Sequence, residues 1–256
     1  MNLVFASGFL VPQQFLGFNY FRDVRQHVIQ EGHHAIMPKV PPLGTCEERA
    51  DALASAIHQT FSTGPVHIIA HSMGGLDSRM LIGRNLFGLA DPGRIASLTT
   101  LSTPHFGSPV ADLLAGRGPE DLRRKFAGRV TAALALLGIE AGAIANLTTE
   151  MAGKVPNAAQ IHPQIRYRSY FASGREGHFP TSLVLAPTHE YVQAVTSEDN
   201  DGLVARSSAK YGDFQEPSWP CDHADIVGYN LDTAGLGPPV FPHIVKIDEI
   251  IAQLED

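Results

Sequence analysis

Residues 66–80 read VHIIAHSMGGLDSRM. The run VHIIA, 66–70, is almost continuously apolar and β-branched, which is the character of a strand buried on both faces. A helical pattern follows Ser72 at once, so the serine stands in a sharp turn between strand and helix. The two backbones approach closely at such a turn, and the residues two before and two after the serine must be small. Ala70 and Gly74 meet that need, making AHSMG a variant of Gly-x-Ser-x-Gly. A serine hydroxyl attacks a carbonyl only when a base takes its proton and donors await the oxyanion. The turn aims the Met73 N–H at that charge, and the loop after an early strand usually supplies a second donor. Here that loop is SGFL, 7–10, behind the strand LVFA, 3–6. It nominates the Phe9 N–H, with Gly8 permitting close approach.

Outward from this turn, strands and helices alternate. After LVFA, residues Phe21, Val24, Val28 and Ile29 recur at helical spacing up to Gly32, and HAIMP forms a second short strand. Thr45 and Glu48 predict a capping box that opens a helix with Leu53, Ile57 and Phe61 on one face, ended by Gly64-Pro65. IASLTTL, 95–101, and RYRSYFA, 166–172, repeat the strand signal, and IVKIDEIIAQL predicts a terminal amphipathic helix. The alternation predicts a single α/β domain over 1–256, with a mostly parallel, doubly wound sheet and helices on both faces. The stretch from about 112 to 160 has a charged half, RGPEDLRRKFAGR, and an apolar half. It is too long for an ordinary crossover and reads as an inserted helical cap or lid. Leu134, Leu136, Leu137 and Ile139 in it would line an acyl pocket, face a lipid interface or simply pack a helical hairpin.

Composition narrows the classes. The chain has 256 residues, 44% of them hydrophobic and 18% charged, enough to bury a sizeable core. A formal net charge of -7 gives no basic stripe for neutralising phosphates, which excludes a nucleic-acid partner. Cys46 and Cys221 lie far apart, with no metal-cluster spacing, and pair only if the fold brings them together. The apolar run Val130–Leu147 is Ala/Gly-rich and carries Glu140, so no transmembrane segment is expected. MNLVFASGFLV has no basic residue ahead of Arg22 and no cleavage pattern. The expectation is a cytoplasmic chain, or a secreted one if these residues are a mature form.

In sheets with a serine so placed, the acid and then the base follow it along the chain. SEDNDGLV, 197–204, is a polar turn in which Asp201-Gly202 would present a carboxylate, with Asp199 as its rival. His223 in CDHADIVGY and His243 in FPHIVKIDEI both precede apolar stretches. His243 sits where the terminal helix begins, which suits a cap, and His223 is the better candidate base.

Several separated motifs agree with one family. FLGFNYFRDVRQHVIQEGHHAIMPKV, IAHSMGG, LTTLSTPHFGSPVADLL, NLTTEMAGKVPN, NDGLVARSSAKYG and WPCDHADIVGYN resemble the bacterial lipases of families I.1 and I.2, the Pseudomonas and Burkholderia type, within the α/β-hydrolase superfamily. The resemblance covers nearly the whole chain. It implies an α/β-hydrolase fold and a serine carboxylic ester hydrolase, lipase or esterase, that cleaves fatty-acyl esters through an acyl-enzyme. Ser72 would be nucleophile, Asp201 the orienting acid and His223 the base, with the Phe9 and Met73 N–H groups as oxyanion hole. His105 in STPHFGSP is not expected to be catalytic, since one base suffices.

The chain departs from the family's pattern at several places, its secretion signal and disulfide among them. Ser7 stands where the family has a histidine before the oxyanion glycine, so the imidazole that braces that loop is missing. The family's structural calcium would use Asp225, two residues after the base, but GHFPTSLVLAP, 177–187, lacks the partner carboxylate. The expectation is that no cofactor is required. The other readings are an acyltransferase, thioesterase or polyester depolymerase with the same three residues, a non-catalytic ligand-binding relative, and a membrane- or protein-binding module built on the cap.

Overall fold

The computed structural model of the chain describes residues 1–8, 20–139, 141–177 and 179–254. Its elements in chain order are β1 (Asn2–Ala6), α1 (Val24–Gln30), β2 (His34–Ile36), α2 (Cys46–Thr60), β3 (Val66–His71), α3 (Met73–Gly83), β4 (Ile95–Leu101), α4 (Pro109–Leu114), α5 (Glu120–Leu136), α6 (Thr149–Ala152), α7 (Ala158–Ile161), β5 (Arg166–Tyr170), α8 (Ala186–Thr196), α9 (Arg206–Ala209), β6 (Asp213–Phe214) and α10 (His243–Ala252). Among the described residues the strands form one sheet in the order β2-β1-β3-β4-β5-β6, every neighbouring pair parallel.

Parallel strands need helices on both faces, and the alternation of side chains along β1 and β3 supplies two cores. Val4, Ala6, Ile68 and Ala70 point to one face and pack with Leu53 and Ile57 of α2 and with Leu76 and Met80 of α3. Leu3, Phe5 and Ile69 point to the other, against Val24 and Val28 of α1 and Ile247, Ile250 and Ile251 of α10. Each fully buried aliphatic side chain contributes about 1.5–3 kcal/mol, so the central strands are the best-anchored part of the molecule. Helix α2 opens on the expected capping box: the Thr45 hydroxyl accepts from the Glu48 N–H at 3.2 Å, and the Thr45 N–H donates to Glu48 Oε2 at 2.8 Å.

Chain order reverses at β1, which is flanked by β2 on one side and β3 on the other. At such a switch point the loops leaving the two strands diverge to opposite faces and open a crevice at the strands' carboxyl ends. Ser7 leaves β1 and Ser72 leaves β3 at that crevice, with Ala6 paired to Ala70. Between β4 and β5 lie α4 to α7, the stretch expected as a cap. The apolar run 130–147 is split, since α5 ends at Leu136, and among the described residues no helix is long and apolar enough to cross a membrane.

Candidate active site

The backbone at Ser72 has φ 55° and ψ -130°, a left-handed conformation that side chains other than glycine's rarely adopt. Its surroundings hold it there. The Ser72 N–H donates to the Leu101 carbonyl at 3.0 Å, and the Ser72 carbonyl accepts from the Thr103 hydroxyl at 2.8 Å. A Cβ on Gly74 would stand 2.3 Å from the Ala6 carbonyl oxygen, and one on Gly75 would stand 2.1 Å from Thr103 Oγ1. Only glycines let α3 start so close to β1 and to the loop after β4. The Gly8 backbone presses on the same point, since a Cβ there would lie 2.7 Å from Ser72 Cβ. Met73 is the first residue of α3, so its N–H has no acceptor within the helix and is free to face a developing negative charge. Phe9 lies outside the described residues.

Asp201 and His223 are brought together. Asp201 Oδ2 and His223 Nδ1 are 2.7 Å apart, and both side chains are buried. The other carboxylate oxygen accepts from the N–H groups of Leu203 (3.0 Å) and Val204 (2.8 Å), which fixes the rotamer. The His223 N–H also donates to the Asp201 carbonyl at 2.9 Å, so main chain and side chain join the two loops. His223 Nε2 has no hydrogen-bond partner among the described residues and is buried. It belongs with Ser72 to the lining of one pocket, whose other walls are apolar except for Ser108: Val110 and Ala111 of α4, Leu134 of α5, then Ile139, Ile144 and Leu147, with Pro104, Leu203 and Val204. The rivals stand elsewhere. Asp199 is exposed, and His243 begins α10 with its Nε2 2.9 Å from the Arg22 carbonyl.

Comparison with known proteins bears on the fold. The alpha/beta hydrolase fold family matches residues 42–141. Triacylglycerol lipase 2 of Saccharomyces cerevisiae is 30% identical over 225 residues, which is 84% of this chain and 64% of that protein. The triacylglycerol lipase of Pseudomonas fragi is 24% identical, with 82% of each chain covered. The mature Bacillus licheniformis lipase BlEst2 superposes with a TM-score of 0.69 at 20% identity, over 99% of this chain and 91% of its own. The chain has the α/β-hydrolase fold. It spans just under two thirds of the yeast relative's length.

Within this fold, Arg49 braces the loop that leaves β1 at Ser7. It is buried in α2, with Nε 2.8 Å from Asp77 Oδ2 and Nη2 donating to the carbonyls of Ser7 (2.9 Å) and Gly8 (3.3 Å). Burial pushes the Asp77 carboxyl up to about 7 against the pull of Arg49. Neither residue was singled out from sequence, yet a signal existed: Arg49 precedes Leu53 and Ile57 at four-residue spacing on the buried face of α2.

His71 packs beside His223, ring centroids 4.5 Å apart with the planes tilted by 43°, and its Nδ1 lies 2.8 Å from the Tyr20 hydroxyl. Burial, helped by the charge His223 would carry, holds His71 well below the ordinary imidazole pKa, so it stays neutral beside the base. His105 is structural. It stacks on Tyr211 at 4.5 Å, its Nε2 meets Thr100 Oγ1 at 3.0 Å, and its carbonyl accepts from Arg79 at 2.9 Å. Cys46 and Cys221 are buried free thiols. Among the described residues no group of three or more His, Cys, Asp or Glu side chains is arranged to hold a metal ion.

Of the apolar candidates from the stretch 112–160, Leu134 and Ile139 line the pocket and Leu137 packs at the edge of the core. Leu136 is 81% exposed.

Proposed function

We propose that this chain is a serine carboxylic ester hydrolase of the lipase or esterase kind, with Ser72 as nucleophile, His223 as general base and Asp201 as its orienting acid. The observation that carries the reading is the buried Asp201–His223 pair: His223 lines the same pocket as Ser72 on its strained turn, and its Nε2 has no partner among the described residues. His223 Nε2 takes the Ser72 proton as Oγ bonds to the ester carbonyl carbon, and Asp201 stabilises the imidazolium. The oxyanion faces the Met73 N–H, with the Phe9 N–H as second donor, each contributing on the order of 3 kcal/mol. Collapse of the tetrahedral state breaks the carbon–oxygen bond, and the departing alkoxide takes the proton from His223. Water then repeats the sequence on the acyl-enzyme and releases the acid.

The pocket walls favour an apolar acyl group, so fatty-acyl esters are the proposed substrates. Six of the wall residues come from 110–147, which makes that stretch the determinant of chain length and the natural place of contact with a lipid surface. The names of the curated relatives, both triacylglycerol lipases, support this choice, and the motifs favour kinship with the Pseudomonas and Burkholderia type. The chemistry is complete with side chains and backbone of this chain. Hydrolysis of p-nitrophenyl esters from acetyl to palmitoyl tests the reading, with Ser72→Ala and His223→Ala as controls. Turnover lost in both variants supports it; turnover retained in Ser72→Ala refutes it. Acyl transfer to added alcohol in preference to water would reassign the acceptor but not the nucleophile.

A further inference from the structure

The loop that carries His223 is bounded by two fully buried carboxylates, Asp222 and Asp225, and both face one guanidinium. Arg175 lies beyond β5. Its Nε and Nη2 meet Asp225 Oδ2 and Oδ1 at 2.8 Å each, and its Nη1 meets Asp232 Oδ2 at 2.6 Å. Nη2 also stands 3.5 Å from Asp222 Oδ2. The main chain is tied at the same place, with Gly174 N–H donating to the Cys221 carbonyl at 2.9 Å and Ser173 N–H to that of Trp219 at 3.0 Å.

The family resemblance implies a calcium ion here, with Asp225 among its ligands, but the side chains do not fit one. Calcium needs about six to eight oxygen lone pairs converging on a point. In this structure Asp225 Oδ1 faces Arg175, while Oδ2 faces Arg175 and the Asp222 N–H at 2.9 Å. Asp222 Oδ1 accepts from the N–H groups of Ala224 and Asp225 at 3.0 Å each, and its Oδ2 accepts from the Ser182 N–H at 2.8 Å. Asp232 Oδ1 accepts from the Leu183 N–H at 2.8 Å. Every carboxylate oxygen is turned to an N–H, and a fixed positive charge already stands among them.

We infer that the Arg175 guanidinium takes the place of that ion: Arg175 is a positioning residue for His223, and the loop is held without calcium. The planar fork suits the task because it grips one carboxylate with two parallel hydrogen bonds and keeps a nitrogen for the next, which an ammonium cannot do. The role rests on the reading of His223 as the base.

The test has two arms. Thermal unfolding of the wild-type protein, in excess EDTA and in excess calcium chloride, should give one midpoint; a midpoint raised by calcium overturns the inference whether or not the chain hydrolyses esters. In the second arm, kcat and KM are measured on a short-chain ester for Arg175→Ala and Arg175→Lys. Removing a residue that orients a catalytic side chain costs roughly 10- to 100-fold in rate. Such a fall in kcat with KM near wild type is expected, together with partial rescue of Arg175→Ala by guanidinium ion below denaturing concentration. A lowered midpoint with wild-type kcat would make Arg175 a structural residue only and overturn the positioning role. If Arg175→Ala does not fold, Asp232→Asn, which removes one partner of the fork at the protein surface, should lower kcat in the same sense; unchanged kcat there also counts against the role. A wild type without turnover, or turnover that survives Ser72→Ala, is a failure of the hydrolase reading and leaves the first arm standing.

Discussion

Arg49 and Asp77 form a buried ion pair, Nε to Oδ2 2.8 Å, and the same guanidinium donates to the carbonyl oxygens of Ser7 and Gly8. The pair therefore joins helix α2, helix α3 and the loop that leaves β1. In Arg49→Met the Asp77 carboxyl, already raised by burial to about 7, would take up a proton rather than remain as an unpaired charge. What is lost is then the donors to the buried carbonyls of Ser7 and Gly8, about 1–3 kcal/mol each, and the donor to the part-buried Pro41 carbonyl. The expected outcome is a lowered unfolding midpoint and a kcat/KM reduced by roughly tenfold or more as the oxyanion loop shifts. Wild-type kcat/KM in the folded variant would remove Arg49 from any role at that loop.

Asp199 and Asp201 sit two residues apart, but only Asp201 reaches a histidine. Asp201→Asn should lower kcat by about 10³- to 10⁴-fold, because an amide can hold the imidazole in the wrong tautomer and cannot stabilise the imidazolium. Asp199→Asn, at an exposed position, should match wild type. Steady-state kinetics on one soluble ester separates them.

The strain at Ser72 has a measurable sign. A non-glycine residue in this conformation costs about 1–3 kcal/mol, whereas glycine adopts it freely at an entropic cost of about 0.5–1 kcal/mol. Ser72→Gly should therefore be inactive and more stable than wild type by about 1 kcal/mol in denaturant unfolding, and Ser72→Ala inactive without that gain. Equal stability of the two variants would mean the turn is not strained.

Acid should weaken the fold through its buried imidazoles. His71 and His105 both have pKa values pushed well below 6.5, first by burial and then by the charge of His223 or Arg79. The unfolded chain takes up protons near pH 6.5 that the folded chain refuses, so their contribution is full above that pH and is lost as pH falls below it. Unfolding free energy between about pH 6.5 and 5 should drop with a slope approaching 1.4 kcal/mol per unit for each ring. Denaturant titrations across that range should give a shallower slope for His71→Gln, which keeps a polar partner for Tyr20.

Ala111 lines the pocket from α4, and Ala111→Phe would fill space that an acyl chain needs. The ratio of kcat/KM for palmitoyl over acetyl ester is expected to fall about tenfold or more, at the usual 1–3 kcal/mol for a misfit of one or two methylenes. An unchanged ratio would place the acyl chain elsewhere.

Much of this arrangement was legible in the residues. β4 runs over Ile95–Leu101, the span its apolar and β-branched run suggests, with Ser97, Thr99 and Thr100 buried among its apolar residues. The turn at Ser72 was readable from Ala70 and Gly74, whose smallness is a steric need of that one geometry. β6 escaped, since Asp213–Phe214 is a strand only through its pairing with β5. Arg79 and Arg175 escaped for a related reason: each is placed by carbonyls or carboxylates distant in sequence, whereas Arg49 at least shares the four-residue spacing of the buried face of α2. Leu134 and Leu136 lie two residues apart within α5, so helical periodicity turns the first inward and the second to water.

The double link between Asp201 and His223, side chain to side chain and His223 N–H to Asp201 carbonyl, makes the two loops one rigid unit with a long excursion of chain between them. Residues 202–222 leave that unit and return to it, passing the exposed turn at Glu216 and Pro217 on the way. Lengthening such a turn costs little, since loop-closure entropy grows only slowly with length. The molecule thus offers a port for grafting: a binding peptide or a small domain inserted there would leave the spacing of acid and base untouched.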